Sequence, residues 1–221
     1  MAKTTRSNQP PDIEVRSLFA TPLVVARPPV SEDENAHLAA AILAHERNGN
    51  AGVLHSNMMG WQSADDFTAW AGAEGDKVIA FARALADRLT GDRAGNRVQV
   101  DWFVNAWANV NRAGHANQLH AHPGAMWSGC YYADAGGRAG DPARGGEFEV
   151  MDPRGITPAM YAPELAPALS GCQSMGSSEL IVPETGMLLL FPAWLSHGVR
   201  PYRGNGARVS VAFNFALPAA S

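Results

Sequence analysis

From Val98 the hydrophobic pattern repeats every second residue. Val98, Val100, Trp102, Val104, Ala106, Ala108 and Val110 alternate with Gln99, Asp101, Phe103, Asn105, Trp107, Asn109 and Asn111. Successive side chains of a strand point to opposite faces, so this run predicts a long strand with one apolar and one polar side. The pattern returns near the C-terminus, where Val209, Val211, Phe213 and Phe215 share one face and Arg208, Ser210, Ala212 and Asn214 the other. A polar face on so apolar a strand suits a barrel interior that holds a polar ligand, with the apolar face packed on helices. A face turned simply to water is the alternative. Further strands are expected over residues 118–122, 127–133, 147–151, 180–182, 187–191 and 198–202, with the last over 208–217.

The chain before residue 96 reads differently. Residues 18–25 suggest one strand. Ser31 followed three residues later by Glu34 is a capping box that opens a helix running to about Arg47. Val78, Phe81, Ala82, Leu85 and Leu89 recur at three and four residues, which predicts an amphipathic helix ended by Gly91. Between the helices, residues 52–67 (GVLHSNMMGWQSADDF) form an irregular connection whose composition suits a pocket cover. Helices followed by strands indicate an α+β fold. The expected organisation is a disordered tail over 1–13 and a single domain over 14–221. Within it, residues 14–95 give a strand and supporting helices, and 96–218 the β core.

Composition excludes several functions. Seventeen Lys and Arg stand against 21 Asp and Glu, a net charge of −4, and no basic run offers a footprint for nucleic acid. No apolar stretch approaches the roughly 20 residues of a membrane helix. The N-terminal MAKTTRSNQPPDIE has no apolar core for export. Two cysteines, Cys130 and Cys172, are too few for a disulfide framework. These features lead us to expect a cytoplasmic protein with reduced thiols. Nothing in the sequence sets an oligomeric state.

Chemistry concentrates in the histidines. His37 and His45 fall on the first helix and His55 in the following loop, where a solvated or hydrogen-bonded role suffices. His120 and His122, in GHANQLHAHP, are two apart on an expected strand, so both rings leave one face with Cα atoms about 6.5 to 7 Å apart. Two imidazoles so placed can converge on one metal ion. His197, in FPAWLSHGV, is the candidate third ligand. Arg208, 11 residues later, offers the planar fork that a buried carboxylate needs. Three histidines and water are also a zinc arrangement for hydrolysis. A cupin-type dioxygenase and a non-catalytic ligand-binding β-barrel share the same ingredients.

The order of these parts is more specific than any one of them. HxHPxxxxSGxYY (His120 to Tyr132), FPxWxxH (Phe191 to His197) and RxSxxFN (Arg208 to Asn214) together resemble the 2-oxoglutarate- and Fe(II)-dependent oxygenases, and within them a small bacterial group. The resemblance spans about Trp102 to Phe215, roughly half the chain. It implies a double-stranded β-helix core of jelly-roll, cupin-like form, and a dioxygenase that uses Fe(II), 2-oxoglutarate and O2. Such an enzyme releases succinate and CO2, with hydroxylation the default outcome; the scarcity of basic residues in these motifs makes a small molecule the expected substrate. Carried over residue by residue, His120 and His197 match the family's metal-binding histidines. Arg208 matches the clamp on the far carboxylate of 2-oxoglutarate, and Tyr132 a tyrosine that also reaches the cosubstrate. Asn109, and Ser128 on the Tyr132 face, have the type and parity to assist.

The chain departs from the family at His122, where the usual residue is Asp or Glu. Either His122 ligates and gives a three-histidine centre, or a carboxylate from Glu147, Asp134 or Asp152 completes the usual set and His122 stands behind it. With three neutral imidazoles, Fe(II) and doubly ionised 2-oxoglutarate sum to zero charge. For the substrate, Trp61, Trp107 and Trp127 are candidates to line the barrel mouth, with Trp61 and Trp127 taken as contacts. The long Gly/Pro/Ala-rich connections over 136–146 and 153–178 have the make-up of lids.

Overall fold

A computed structural model describes residues 19–48, 52–53, 56–137, 140–156, 160–168 and 176–218. The expected tail over 1–13, His55, Cys172 and parts of both lid-like connections lie outside these residues.

Helix α1 (Glu32–Arg47) begins where its sequence says it should. The Ser31 hydroxyl accepts from the Glu34 backbone N–H at 3.2 Å, and the Glu34 carboxylate accepts from the Ser31 N–H at 2.7 Å. Lys77 also donates to Glu34 at 2.9 Å, and so ties α1 to helix α3 (Gly72–Leu89) behind the short α2 (Phe67–Trp70). Gly91 does not end α3. Thr90 does: its backbone turns extended, and its buried hydroxyl donates to the Ala86 carbonyl at 2.7 Å while accepting from Trp127 Nε1 at 2.9 Å. Among the described residues no helix is long and apolar enough to cross a membrane.

Eleven strands among the described residues form two antiparallel sheets. In chain order they are β1 (Val24–Ala26), β2 (Asn57–Met58), β3 (Trp61–Gln62), β4 (Phe103–Asn111), β5 (Ala116–His120) and β6 (Ala125–Asp134), followed by β7 (Phe148–Met151), β8 (Ser178–Ile181), β9 (Leu188–Pro192), β10 (His197–Val199) and β11 (Arg208–Ala216). The major sheet runs β1-β9-β6-β11-β4-β3 and the minor sheet β2-β5-β10-β7-β8. The sequence expectation of a strand from residue 18 shrinks to β1, because among the described residues of that stretch only Val24–Ala26 find partners, on Leu188–Leu190. The connection expected to be irregular is partly ordered. It adds β2 to one sheet, opposite Ala116 and Asn117, and β3 to the other, opposite Asn109 and Val110.

Alternation along β4, β6 and β11 divides the core as the sequence suggests. Val209, Val211, Phe213 and Phe215 pack with Leu38, Ile42, Val78 and Ala82 of the helices. Between the sheets lies a second apolar cluster that includes Tyr132, Phe148, Leu189, Phe191 and Leu195. Gly129, in the middle of β6, has no room for a side chain: a Cβ there would collide with the Phe213 ring and the Leu189 carbonyl. This is a double-stranded β-helix with helices on one face. The polar residues of β11 point inward, between the sheets.

Candidate metal centre

His120 ends β5, His197 begins β10, and the two are direct partners in the minor sheet. His122 lies beyond the end of β5, short of the strand expected through 122, yet its backbone N–H still bonds the Ala193 carbonyl at 2.9 Å and keeps it beside the pair. Ring centroids are 4.5 Å apart for His120 and His197, 4.8 Å for His120 and His122, and 5.2 Å for His122 and His197. One nitrogen from each ring falls within 4.8 Å of the others.

Two of the three rings have their tautomer fixed by the backbone. His120 Nδ1 is 2.8 Å from the Gln118 carbonyl, and His197 Nδ1 is 2.8 Å from the Leu195 carbonyl. A carbonyl only accepts, so each Nδ1 carries the proton and each Nε2 keeps its lone pair for a metal. Phe148 and Phe191 pack on the His197 ring with centroids at 5.3 Å and 4.6 Å. Desolvation, reinforced by the charge on His120, lowers the His122 pKa to about 4. Desolvation lowers His197 to about 3, against the opposing pull of its bond to Leu195. Both rings are therefore neutral at physiological pH, the form that binds metal.

Arg208 is only 1% exposed on the wall of the same cavity. One Nη1 donates to Asn111 Oδ1 at 3.3 Å, but Nε and Nη2 are buried without a hydrogen-bond partner. Its guanidinium carbon sits 4.8 Å from the centre of the Tyr132 ring, whose hydroxyl is also buried without a partner and whose pKa burial raises. No carboxylate pairs with Arg208 among the described residues. A buried cation and a buried phenol left unsatisfied are costly unless an anion arrives between them. An iron ion on the triad and a dicarboxylate reaching Arg208 meet both requirements of this donor set.

The other candidates separate by face. Asn109 shares the Arg208 cavity, although Asn111, two residues on, makes the bond to Arg208. Ser128 faces inward and donates to Asn214 at 2.6 Å. Trp61 and Trp127 do not line the cavity. Trp61 pairs with Val110 and Trp127 with Phe215, so both sit on the helix side of the major sheet and pack in its core. Trp107, one position from that parity, faces inward beside His122, with ring centroids 5.7 Å apart. Among the described residues no carboxylate joins the triad. Asp134 accepts from the Gly136 N–H at 2.8 Å, Asp152 pairs with Arg154 at 2.8 Å, and the charge of Glu147 acts on Arg200. Sequence reading missed Gln62, Asn111 and Asn214. Asn214 closes the RxSxxFN motif and Asn111 has the inward parity, so both carried a signal; Gln62 carried none.

A family model described as "Putative 2OG-Fe(II) oxygenase" matches residues 105–214, which hold all three histidines, Tyr132 and Arg208. The chain belongs to the 2-oxoglutarate- and Fe(II)-dependent oxygenases. It is an iron dioxygenase that uses 2-oxoglutarate as cosubstrate, and the hydrolase and non-catalytic alternatives fall away. Solved structures share the fold at low identity. A prolyl-4-hydroxylase from Pseudomonas putida is 15% identical, with 91% of this chain and 96% of that one covered at a TM-score of 0.62. A Trichoplax adhaerens prolyl hydroxylase in complex with a hypoxia inducible factor oxygen degradation domain peptide is 11% identical, with 88% and 83% covered and a TM-score of 0.62. HygX from Streptomyces hygroscopicus, with nickel, 2-oxoglutarate and hygromycin B bound, is 14% identical, with 91% and 85% covered and a TM-score of 0.54. No curated protein sequence matches the oxygenase.

Proposed function

We propose that the oxygenase hydroxylates a small molecule at an iron centre held by His120, His122 and His197, with 2-oxoglutarate held by Arg208, Tyr132 and Asn109. The observation that carries this reading is a histidine triad sharing one cavity with a buried, unsatisfied guanidinium, which stacks on a buried, unsatisfied phenol. When bound, iron and 2-oxoglutarate supply the O2-dependent oxidation, with succinate and CO2 as by-products.

The protein's part is positional. His120 and His197 present fixed Nε2 lone pairs. His122 supplies a neutral third donor in place of the family's carboxylate. Arg208 offers two N–H groups, and Tyr132 a hydroxyl, to the distal carboxylate in a site from which water is largely excluded, where such bonds are strongest. Phe148 and Phe191 hold that interior dry. Outside the triad an outer cavity of about 430 Å3 opens between Trp107, Leu119 and Gln62. That volume lies within the usual range for small-molecule sites, which favours a metabolite over an extended chain as substrate.

The test is an anaerobic titration of metal-free protein with Fe(II) and 2-oxoglutarate, watching for the visible iron-to-cosubstrate charge-transfer band. A band that disappears in Arg208→Ala is the expected result. A band of unchanged affinity in that variant overturns the assignment of Arg208.

A further inference from the structure

We propose that the substrate carries a protonated amine, and that Asp65 and Gln62 select it. This rests on the reading above, in which substrate enters through the outer cavity beside the triad. Asp65 is the only formally charged side chain among the described residues lining that cavity, and it forms no ion pair among them. No Lys or Arg among the described residues lines the same space, so an anionic substrate would meet a like charge there. Gln62 is 3% exposed, and its carboxamide makes no hydrogen bond to the described residues. It borders both the outer cavity and the inner one that holds Arg208, so it stands where a substrate approaching the metal must pass. A carboxamide on a cavity wall can donate to a ligand or accept from it. Trp107 adds an aromatic face, the surface that attracts an ammonium group. Gln62 alone accepts either charge; Asp65 makes the choice. Gln62 is fixed by its pairing with Asn109 of β4, and Asp65 follows three residues later, next to Asp66, which bridges Ala106 of the same strand.

The experiment uses the full chain loaded with Ni(II) and 2-oxoglutarate. It is screened by thermal shift and calorimetry against size-matched primary amines, their N-acetyl derivatives and the corresponding carboxylates. Amines are expected to bind preferentially. Asp65→Asn should weaken them about fivefold, the upper end for an exposed ion pair, and Asp65→Lys should shift preference to the carboxylates. Gln62→Ala should weaken amines and acetylated forms alike. Equal binding of the three classes, no amine binding at all, or a preference unmoved by Asp65→Lys each overturns the proposal. The stabilisation by 2-oxoglutarate alone, lost in Arg208→Ala, is read in the same instrument. Its absence would overturn the cosubstrate assignment instead, leaving the charge preference to be judged separately.

Discussion

The Asn214 carboxamide lies 3.4 Å from Nδ1 of His122, and it is the only side chain the structure bonds to that nitrogen among the described residues. His120 and His197 lean on backbone carbonyls, whereas His122 leans on a group that can turn over. In the structure Asn214 turns its Nδ2 to Nδ1 while its Oδ1 accepts from Ser128, an arrangement that leaves the His122 proton on Nε2, where it blocks a metal. With its oxygen toward Nδ1, it accepts, frees Nε2, and donates its own N–H to Ser128. Metal binding therefore selects the second orientation. Asn214→Leu is expected to weaken Fe(II) or Mn(II) binding about 10- to 100-fold, the usual effect of losing such a partner. Asn214→Asp should retain binding, and His122→Ala should lose more than Asn214→Leu. Unchanged affinity in the leucine variant would show that His122 orients itself.

Arg208 and Tyr132 make opposite predictions for folding and for binding. Tyr132 Oη has no partner in the free protein, so Tyr132→Phe should leave the melting temperature unchanged or raise it. The same variant should bind 2-oxoglutarate about fivefold more weakly, the worth of one ordinary hydrogen bond. Arg208→Ala should lose about 30-fold or more, as truncation of one member of a buried charge pair does. Calorimetry on metal-loaded protein reads both.

Gly129 serves the fold and not the chemistry. Gly129→Ala forces a methyl group against Phe213 and a backbone carbonyl that has little freedom to move. Such overpacking costs about 1–3 kcal/mol, measurable in urea unfolding. The protein that remains folded should still bind metal in full.

The capping box predicts an acid limb of stability. Glu34 has its pKa lowered to about 2, first by its bond to the Ser31 backbone and then by Lys77. A carboxylate depressed in the folded state stabilises fully above its unfolded pKa, near 4.5, and loses that contribution as pH falls towards 2. Glu34→Gln should therefore melt below the wild type at pH 6 and converge with it near pH 2. A constant difference across that range would mean that the charge on Glu34 is not what matters.

The sequence made some of this visible and hid the rest for physical reasons. Ser31 and Glu34 announced α1 because a cap is local chemistry. Val209 to Phe215 announced β11 because pleat parity survives in the sequence. Parity says which residues share a face, however, and not which face a neighbouring strand presents. For that reason the sequence offers Trp61, Trp107 and Trp127 alike for the barrel mouth, while the structure puts only Trp107 on the cavity wall, with Gln62 beside it. Thr90, which ends α3 and caps the Ala86 carbonyl, is held in place by Trp127, 37 residues away, and the sequence near Gly91 carries no trace of that second bond. The triad itself was legible because HxH and the distal histidine sit in an ordered set of motifs. The partner of His122 was not, since only the antiparallel pairing of β6 with β11 brings Ser128 and Asn214 together.

The site is divided between two sheets: His120 and His197 belong to the minor one, Arg208 and Tyr132 to the major one. Iron with 2-oxoglutarate would then brace the sandwich like a rivet through two plates. A ligand that binds only the joined state adds about 2.7 kcal/mol when present at a hundred times its dissociation constant. Resistance of the purified protein to proteolysis should therefore rise when Fe(II) and 2-oxoglutarate are added together, because opening the sandwich would then require giving up both ligands.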